Sequence, residues 1–131
     1  MIVVDTSGAM AILFDEPGSD VLAAVLDRSS YSRMSAGTLV ELGIVLESRI
    51  GPAAPAKIAQ FLRDARIEVV AVDRDHADRA LEGWRRFGKG RHRGALNLGD
   101  CFTYALASTS NLPILCVGDD FVHTDAGVVP L

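Results

Sequence analysis

Short apolar runs alternate along the chain with longer segments in which apolar residues recur at helical spacing. The runs are rich in β-branched residues and bounded by turn signals, which predicts strands over residues 2–4, 31–34, 68–72 and 114–117, with a last short strand near the C-terminus. Amphipathic spacing predicts helices, the first capped by Thr6 or Ser7, over residues 6–14, 19–28, 36–49, 55–65, 73–87 and 99–110. Because strands and helices alternate throughout, we expect one α/β domain over residues 1–131, with a mainly parallel central sheet flanked by helices on both faces.

The helix predicted over residues 36–49 differs from the others, because it is apolar on nearly all sides. A helix without a polar face is typical of a buried position. We therefore expect this helix to be mostly buried.

Composition places the chain among ordinary globular domains. Of its 131 residues, 49% are hydrophobic and 23% are charged, and the net charge is −4. This balance excludes a disordered chain and argues against a general nucleic-acid coat protein. The two cysteines match neither a disulfide framework nor a zinc motif, the N-terminus lacks the basic residues of a signal peptide, and no apolar run reaches the ~18 residues of a membrane span. We expect a cytoplasmic protein without membrane contact.

Three apolar segments each contain a single charged side chain, and in every case it is a carboxylate. These are Asp5 within residues 1–14, Glu41 within residues 34–46 and Asp100 within residues 94–118. A lone buried carboxylate is strongly unfavourable unless it is paired or binds a metal, and these segments contain no Lys or Arg. A position at the end of an element, in contact with water, explains any one of them. The three together favour convergence on a shared cation.

The predicted topology gathers the same acids independently of the charge pattern. Asp5 follows the first strand, Asp119 and Asp120 follow the fourth, and Asp100 opens a helix. Sites in parallel α/β sheets lie outside the carboxyl ends of the strands. Carboxylates without His or Cys suit Mg²⁺ or Mn²⁺, which activate water for attack on a phosphodiester. The pattern predicts metal-dependent phosphodiester hydrolysis, and we expect the three histidines on the surface.

Positive charges are concentrated in one segment that leads into Asp100. Residues 85–93 (RRFGKGRHR) contain five of the 13 Lys and Arg, whereas residues 94–131 contain none. This basic segment would hold substrate phosphates beside the metal, although a solvated loop is the alternative. Trp84 and Phe87 lie on the helix that leads into it. We expect both to be packing residues, with base stacking as the alternative.

Four motifs resemble the PIN domain of the VapC toxin family. They occur in the family's order and spacing over the full chain, and they are IVVDTSG, LVELGIVL, LNLGDC and GDDFVHTD. The resemblance implies a PIN fold and a ribonuclease that depends on Mg²⁺ or Mn²⁺ and acts on RNA. It also implies a homodimer and a cognate VapB-like antitoxin that covers the active site.

The same resemblance assigns roles to individual residues. Asp5 and Asp100 match the main metal-binding acids, and Glu41 matches a helix acid that binds the metal directly or through water. Either Asp119 or Asp120 would be the fourth catalytic acid. The polar residues expected around the site are Thr6, Ser7, Asn97, Thr124 and Asp125, and capping of the final turn is an equal alternative for Asp125. The residues expected to bind the RNA are Lys89, Arg91 and Arg93.

Two other functions compete with this interpretation. A haloacid-dehalogenase-like phosphatase also begins with an Asp at a strand end, but it needs a second Asp where this chain has Ser7 and a Lys later than Lys89. A catalytically silent PIN-like module that binds RNA or protein would lack one of the core acids, and none is missing here.

Overall fold

A computed structural model describes residues 1–90, 92 and 94–131 of the chain. In this part of the chain a parallel sheet has the strands β1 (Ile2–Val4), β2 (Ser32–Ser35), β3 (Ile67–Val70) and β4 (Ile114–Leu115), in the order β3-β2-β1-β4. The helices are α1 (Thr6–Leu13), α2 (Ser19–Arg28), α3 (Ala36–Ile50), α4 (Ala54–Asp64), α5 (Arg74–Phe87) and α6 (Leu98–Ser110). None of these described helices is long and apolar enough to cross a membrane.

Different helices cover the two faces of the sheet, because successive residues of a strand point to opposite sides. Ile2 and Val4 of β1 pack into a core with residues of α1, α2, α3 and α4. Val3 packs on the other side, with residues of α5 and α6. β4 divides in the same way, with Leu115 in the first core and Ile114 in the second. The predicted α/β fold with helices on both faces is confirmed.

The helix α3 is more exposed than its sequence predicts. Thr38, Leu42 and Leu46 are fully buried at intervals of four residues. Val40 and Ile44 lie on the opposite side, and each is 62% exposed. The expectation of a mostly buried helix is therefore wrong, because one apolar side faces the core and the other is left open by the single chain.

Three smaller expectations also need correction. Asp5, rather than Thr6 or Ser7, caps α1, because its Oδ2 accepts a hydrogen bond from the backbone N–H of Ser7 (3.1 Å). The last predicted strand is reduced to a single bridge to β4. His76 is buried rather than on the surface, since it lies on the face of α5 that packs against the domain.

Candidate active site

Four acidic residues lie near one another at the carboxyl end of the sheet. Asp5 directly follows β1, Asp100 lies in the first turn of α6, and Asp120 is in the segment after β4. Glu41, in the middle of α3, is the fourth. The negative charges of Asp5, Asp120 and Glu41 all act on Asp100, and that of Asp5 also acts on Asp120. The structure thus brings together four of the five acids that the sequence singled out.

Hydroxyl groups fix the orientation of Asp5, which is 4% exposed. Its Oδ2 accepts from the hydroxyl of Ser7 at 2.7 Å and from the backbone N–H of the same residue at 3.1 Å. Its Oδ1 accepts from the hydroxyl of Thr103 at 2.7 Å. Both carboxylate oxygens therefore have a neutral donor, which satisfies their hydrogen bonding without neutralising the charge.

Thr103 and Thr38 form a buried contact behind Asp5 that the sequence analysis missed. Their hydroxyl oxygens are 3.0 Å apart, and both residues are fully buried. Thr103 lies three residues after Asp100 in α6, so the two side chains share a face of the helix. That spacing was the available signal in the sequence. It was not distinctive, because the spacing alone does not show that Thr103 faces Asp5, which is far away in the sequence.

Glu41 is positioned by two neighbours from different elements. The hydroxyl of Thr6 donates to Oε1 of Glu41 at 2.5 Å. Gly99, in the first turn of α6, passes so close that a side chain there would overlap the Glu41 carboxylate. The absence of a side chain at position 99 therefore allows α6 to begin directly beside Glu41.

Asp100 is held by a capping box at the start of α6. The backbone N–H of Asn97 donates to Oδ2 of Asp100 at 3.1 Å, and the backbone N–H of Asp100 donates to Oδ1 of Asn97 at 2.9 Å. Asp100 is 7% exposed. Burial raises its pKa to about 7; the hydrogen bond from Asn97 opposes this shift, and the charges of three neighbouring acids add to it.

The two aspartates after β4, Asp119 and Asp120, differ in whether their charges act on Asp100. Both are exposed. Partial desolvation raises the pKa of Asp120, and the charges of Asp5 and Asp119 raise it further. Asp119 does not appear among the charges that shift the pKa of Asp100, whereas Asp120 does. Of the two aspartates, Asp120 is therefore the one whose charge acts on Asp100.

Thr124 and Asp125 form their hydrogen bonds elsewhere. The hydroxyl of Thr124 donates to the carbonyl of Phe121 (2.7 Å) and accepts from the N–H of Ala126 (3.1 Å), which closes a turn. The carboxylate of Asp125 accepts from the Tyr104 hydroxyl at 2.8 Å and from the Arg86 guanidinium at 3.2 Å.

The residues expected to bind RNA are only partly covered by the structure. Lys89 is exposed, and its backbone N–H donates to the carbonyl of Leu96 at 2.9 Å, just before α6. Arg91 and Arg93 lie outside the described residues. Trp84 is 39% exposed whereas Phe87 is buried, so the two aromatic residues differ in their access to a ligand.

The donor set of the acidic group suits a hard cation. It consists of carboxylates and hydroxyls, and no Lys or Arg among the described residues forms an ion pair with its acids. Within the same residues, no three His, Cys, Asp or Glu side chains meet the geometry needed to hold a metal ion.

The two cysteines lie beside this group without offering a nucleophile. Burial raises the pKa of the Cys101 thiol to about 11 and that of Cys116 to about 12, and nearby carboxylates add to both shifts. A thiol acts as a nucleophile or metal ligand in its ionised form. Both thiols remain protonated near neutral pH, so the site offers carboxylate chemistry rather than thiolate chemistry.

Comparison with known proteins assigns the chain to a family. The sequence model of the PIN domain matches residues 2–127. A relative named ribonuclease VapC, from Mycolicibacterium smegmatis, is 44% identical over 128 residues, which cover 98% of this chain and 99% of the relative. Ribonuclease VapC30 of Mycobacterium tuberculosis is 41% identical over 130 residues, with 99% of both chains covered.

Solved structures share the fold at lower identity. VapC20 of Mycobacterium tuberculosis, described as a sarcin-ricin loop cleaving toxin, aligns with a TM-score of 0.79 and 19% identity, covering 98% of each chain. VapBC2 of Rickettsia felis, bound to a DNA fragment from its promoter, aligns with a TM-score of 0.75 and 15% identity, covering 98% of this chain and 96% of that one. The resemblance carried by the four sequence motifs is therefore confirmed, and the chain belongs to the PIN-domain family of VapC ribonucleases.

Proposed function

We propose that the chain is a ribonuclease dependent on Mg²⁺ or Mn²⁺ and is the toxin of a toxin–antitoxin pair. One observation carries the proposal: four carboxylates from four separate segments lie near one another, without an ion pair to a described Lys or Arg. Such a group is stable when it shares a cation. Membership of the VapC ribonuclease family supports RNA as the substrate.

Each acid has a role in this proposal. Asp5 and Asp100 would hold the metal, and Glu41 and Asp120 would complete its surroundings directly or through water. The bound ion would polarise the scissile phosphate and lower the pKa of the attacking water. Thr6, Ser7 and Asn97 contribute differently, because they hold three of the carboxylates in fixed orientations. They are positioning residues rather than ligands.

The substrate is an anion, so the acidic group needs positive charge beside it. Lys89 carries such a charge, and its backbone N–H donates to the carbonyl of Leu96 just before α6; Arg91 and Arg93 follow Lys89 in the sequence. Each phosphate contact supplied by a Lys or Arg strengthens binding and makes the affinity more dependent on salt. We assign RNA binding to these three residues.

The proposed antitoxin partner has a groove available on the other side of the domain. A cavity of about 280 Å³ lies between α1, α2 and α4, with the apolar side chains of Ile12, Leu13 and Phe61 in its wall and Lys57 and Asp64 at its rim. An amphipathic helix suits such a groove. The similarity to a VapBC assembly supports this partner. A further segment of the antitoxin, outside the groove, would carry a cation to the acidic group, and Arg suits this role because its planar fork matches carboxylates.

The proposed homodimer has a candidate surface on α3. Val40 and Ile44, each 62% exposed, form an apolar stripe that a second copy would bury. Ile44→Glu should therefore give a monomer where the parent is a dimer at micromolar concentration, as measured by light scattering. Val69→Glu, which alters an exposed apolar residue on β3, is the control. A parent chain that is monomeric at these concentrations would exclude the homodimer.

Cleavage of RNA with defined metals tests the enzymatic proposal. The full chain should cleave single-stranded RNA with Mg²⁺ or Mn²⁺ and lose activity in EDTA. Asp100→Asn should be inactive, whereas Asp64→Asn, which removes an exposed acid of α4, should cleave like the parent. Hydrolysis of p-nitrophenyl phosphate without RNA cleavage would favour a phosphatase. RNA binding without cleavage under any metal would indicate a silent binding module.

A further inference from the structure

A buried chain of two hydroxyl groups ends on Asp5. The hydroxyl of Thr103 donates to Oδ1 of Asp5 at 2.7 Å, and the hydroxyl oxygens of Thr103 and Thr38 are 3.0 Å apart. A hydroxyl has one proton, and that of Thr103 is given to the carboxylate, so Thr38 is the donor to Thr103. Both threonines are fully buried. Each proton of this chain therefore points towards the negative charge of Asp5.

A second chain of hydrogen bonds holds the other oxygen of Asp5 in the same way. The backbone N–H of Val117, just after β4, donates to the hydroxyl oxygen of Ser7 at 3.0 Å, and the hydroxyl of Ser7 donates to Oδ2 of Asp5 at 2.7 Å. In both chains the hydroxyl next to Asp5 accepts one hydrogen bond and donates another, which fixes the position of its proton. Hydrogen bonds in series also polarise one another. Neutral donors thus hold both carboxylate oxygens and leave the negative charge uncompensated.

The threonine pair also joins the two helices that carry Glu41 and Asp100. Thr38 lies three residues before Glu41 in α3, and Thr103 lies three residues after Asp100 in α6. Residues three apart are neighbours on the surface of a helix, so each threonine lies next to the acid of its own helix. One buried contact thereby connects the three segments that contain Asp5, Glu41 and Asp100.

The helices α3 and α6 approach closely next to this pair. A side chain at position 37 of α3 would overlap the ring of Phe102, and a side chain at position 99 of α6 would overlap the Glu41 carboxylate. Glycine at both positions therefore lets the helices come close enough for two threonine hydroxyls to bond directly. Close-packed interiors transmit small changes of shape. A change at the threonine pair should consequently be felt by the acids on both helices.

We propose that Thr38 and Thr103 are positioning residues for the acids that hold the metal. Thr103 fixes the orientation of the Asp5 carboxylate, and Thr38 acts through Thr103 by holding its proton in place. The proposal rests on the metal-dependent function proposed above and adds two residues to it. Loss of an outer hydrogen bond of this type changes metal affinity or activity about 10- to 100-fold. A purely structural contact between two helices would change stability and leave the affinity for the metal unchanged.

Two substitutions of Thr103 separate its hydroxyl from its volume. Thr103→Val keeps the shape and removes the hydroxyl, whereas Thr103→Ser keeps the hydroxyl and removes a methyl group. We expect Thr103→Val to weaken Mn²⁺ binding about tenfold or more, and Thr103→Ser to stay within about threefold of the parent. A packing role predicts the reverse order, because the valine fills the site and the serine leaves a small void. Parental Mn²⁺ affinity in Thr103→Val would overturn the proposal.

Electron paramagnetic resonance measures this affinity without RNA, because the signal of free Mn²⁺ is lost as the ion binds to the full-length chain. Thr109→Val is the control, since the hydroxyl of Thr109 donates to carbonyls of its own helix α6 and the residue is exposed. This variant should bind Mn²⁺ like the parent. Initial rates of cleavage add a second readout: in Thr103→Val the KM for RNA should stay within about twofold, because the lost hydroxyl makes no contact with RNA.

Circular dichroism verifies that each variant folds. If Thr103→Val does not fold, Thr103→Ser and Thr103→Ala provide the comparison, because these two variants differ by the hydroxyl alone. Thr103→Ala should then bind Mn²⁺ about tenfold more weakly than Thr103→Ser. Equal affinities in the two variants would overturn the proposal.

Thr38→Val tests whether the two hydroxyls act in series. The variant removes the donor to Thr103 and leaves Thr103 its bond to Asp5, so Mn²⁺ affinity should fall by less than about tenfold. In the double variant the loss should equal that of Thr103→Val alone, since Thr38 acts through Thr103. Its melting temperature should be no lower than that of Thr103→Val, because the Thr38 hydroxyl is no longer left buried without a partner. Losses of affinity that add would overturn the action in series.

The parent chain separates this proposal from the function on which it rests. If the parent neither binds Mn²⁺ nor cleaves RNA, the ribonuclease proposal fails and the positioning role fails with it. If the parent does both and Thr103→Val behaves in the same way, the ribonuclease proposal stands and the positioning role is overturned. A lower melting temperature in Thr103→Val with parental Mn²⁺ affinity would assign the pair to stability alone, which also overturns the positioning role.

Discussion

Asp100 and Asp125 are acidic residues of the same C-terminal region, yet their surroundings differ in kind. Asp125 accepts hydrogen bonds from the guanidinium of Arg86 and the hydroxyl of Tyr104, so its charge is compensated and its geometry is fixed. Asp100 is more deeply buried, receives backbone hydrogen bonding from Asn97, and has three acids acting on it. Asp125 therefore has the surroundings of a structural ion pair, whereas Asp100 is a buried acid without a cationic partner among the described residues.

This difference identifies which acids to test. A paired carboxylate stabilises the fold without the need of any ligand, whereas a buried and unpaired one destabilises the fold until a cation or a proton reaches it. Function and stability should therefore respond in opposite directions when the two residues are changed. Four measurements follow from that expectation, in decreasing order of expected effect.

Asp100→Asn should produce the largest change, a loss of RNA cleavage of at least about a hundredfold. Asparagine keeps the size of the side chain and removes the charge that would hold the metal, and loss of a direct ligand exceeds the ~10- to 100-fold effect of losing an outer hydrogen bond. Initial rates at saturating Mg²⁺ measure the effect. Circular dichroism verifies the fold, and cleavage at the parental rate would remove Asp100 from the catalytic set.

Without metal, the change of the free energy of unfolding with pH should also depend on Asp100. Burial raises the pKa of Asp100 to about 7 in the folded chain, above the ordinary aspartate value of 3.8, so the folded state binds this proton more tightly than the unfolded state does. Protonation of Asp100 therefore stabilises the folded state. This stabilisation is fully present below about pH 4 and is lost as the pH rises towards 7. Asp100→Asn should therefore gain up to ~4 kcal/mol relative to the parent over that range.

Urea unfolding in EDTA at a series of pH values measures this difference. Asp125→Asn provides the comparison, because the partners of Asp125 include a cation and the variant should not show the same gain. A difference between Asp100→Asn and the parent that stays constant from pH 4 to pH 7 would contradict the burial of an unpaired Asp100.

The charge pattern of the sequence was sufficient to indicate three acids that the structure places near one another. Asp5, Glu41 and Asp100 each stand alone in an apolar segment, and that isolation is visible without coordinates. The choice between Asp119 and Asp120 could not be made from the sequence, because adjacent residues in a turn point in directions that only the folded backbone defines. The contribution of Thr103 had only a weak signal, its spacing of three residues from Asp100, since a hydroxyl carries no charge to mark it.

The exposure of α3 shows a second limit of the sequence. Apolar residues on all sides of a helix indicate that much of its surface is buried. They do not indicate whether its own domain or a second chain buries that surface. Val40 and Ile44 have the same apolar character as Leu42, yet they are exposed while Leu42 is buried. The packing of α3 against α1, α4, α6 and the sheet separates them.

Mg²⁺ should raise the melting temperature of the parent chain. A ligand that binds the folded state alone stabilises it by ~2.7 kcal/mol at a concentration one hundred times its dissociation constant. Differential scanning fluorimetry with millimolar Mg²⁺ measures the shift. Asp125→Asn should retain the shift and Asp100→Asn should lose most of it, so an equal shift in all three proteins would place the bound metal elsewhere.

Asp125→Asn should have the smallest effect, and on stability alone. The ion pair with Arg86 is half-exposed on both sides, so it contributes little, and the main loss is the hydrogen bond from the hydroxyl of Tyr104, which is itself buried. We expect the free energy of unfolding to fall by ~1 kcal/mol and the rate of RNA cleavage to stay near that of the parent. Arg86→Gln, which removes the cation and leaves the tyrosine bond, should destabilise less than Asp125→Asn. A large loss of cleavage in Asp125→Asn with normal stability would instead show that Asp125 acts on the site. Pairing with a cation would then no longer distinguish a structural acid from a functional one.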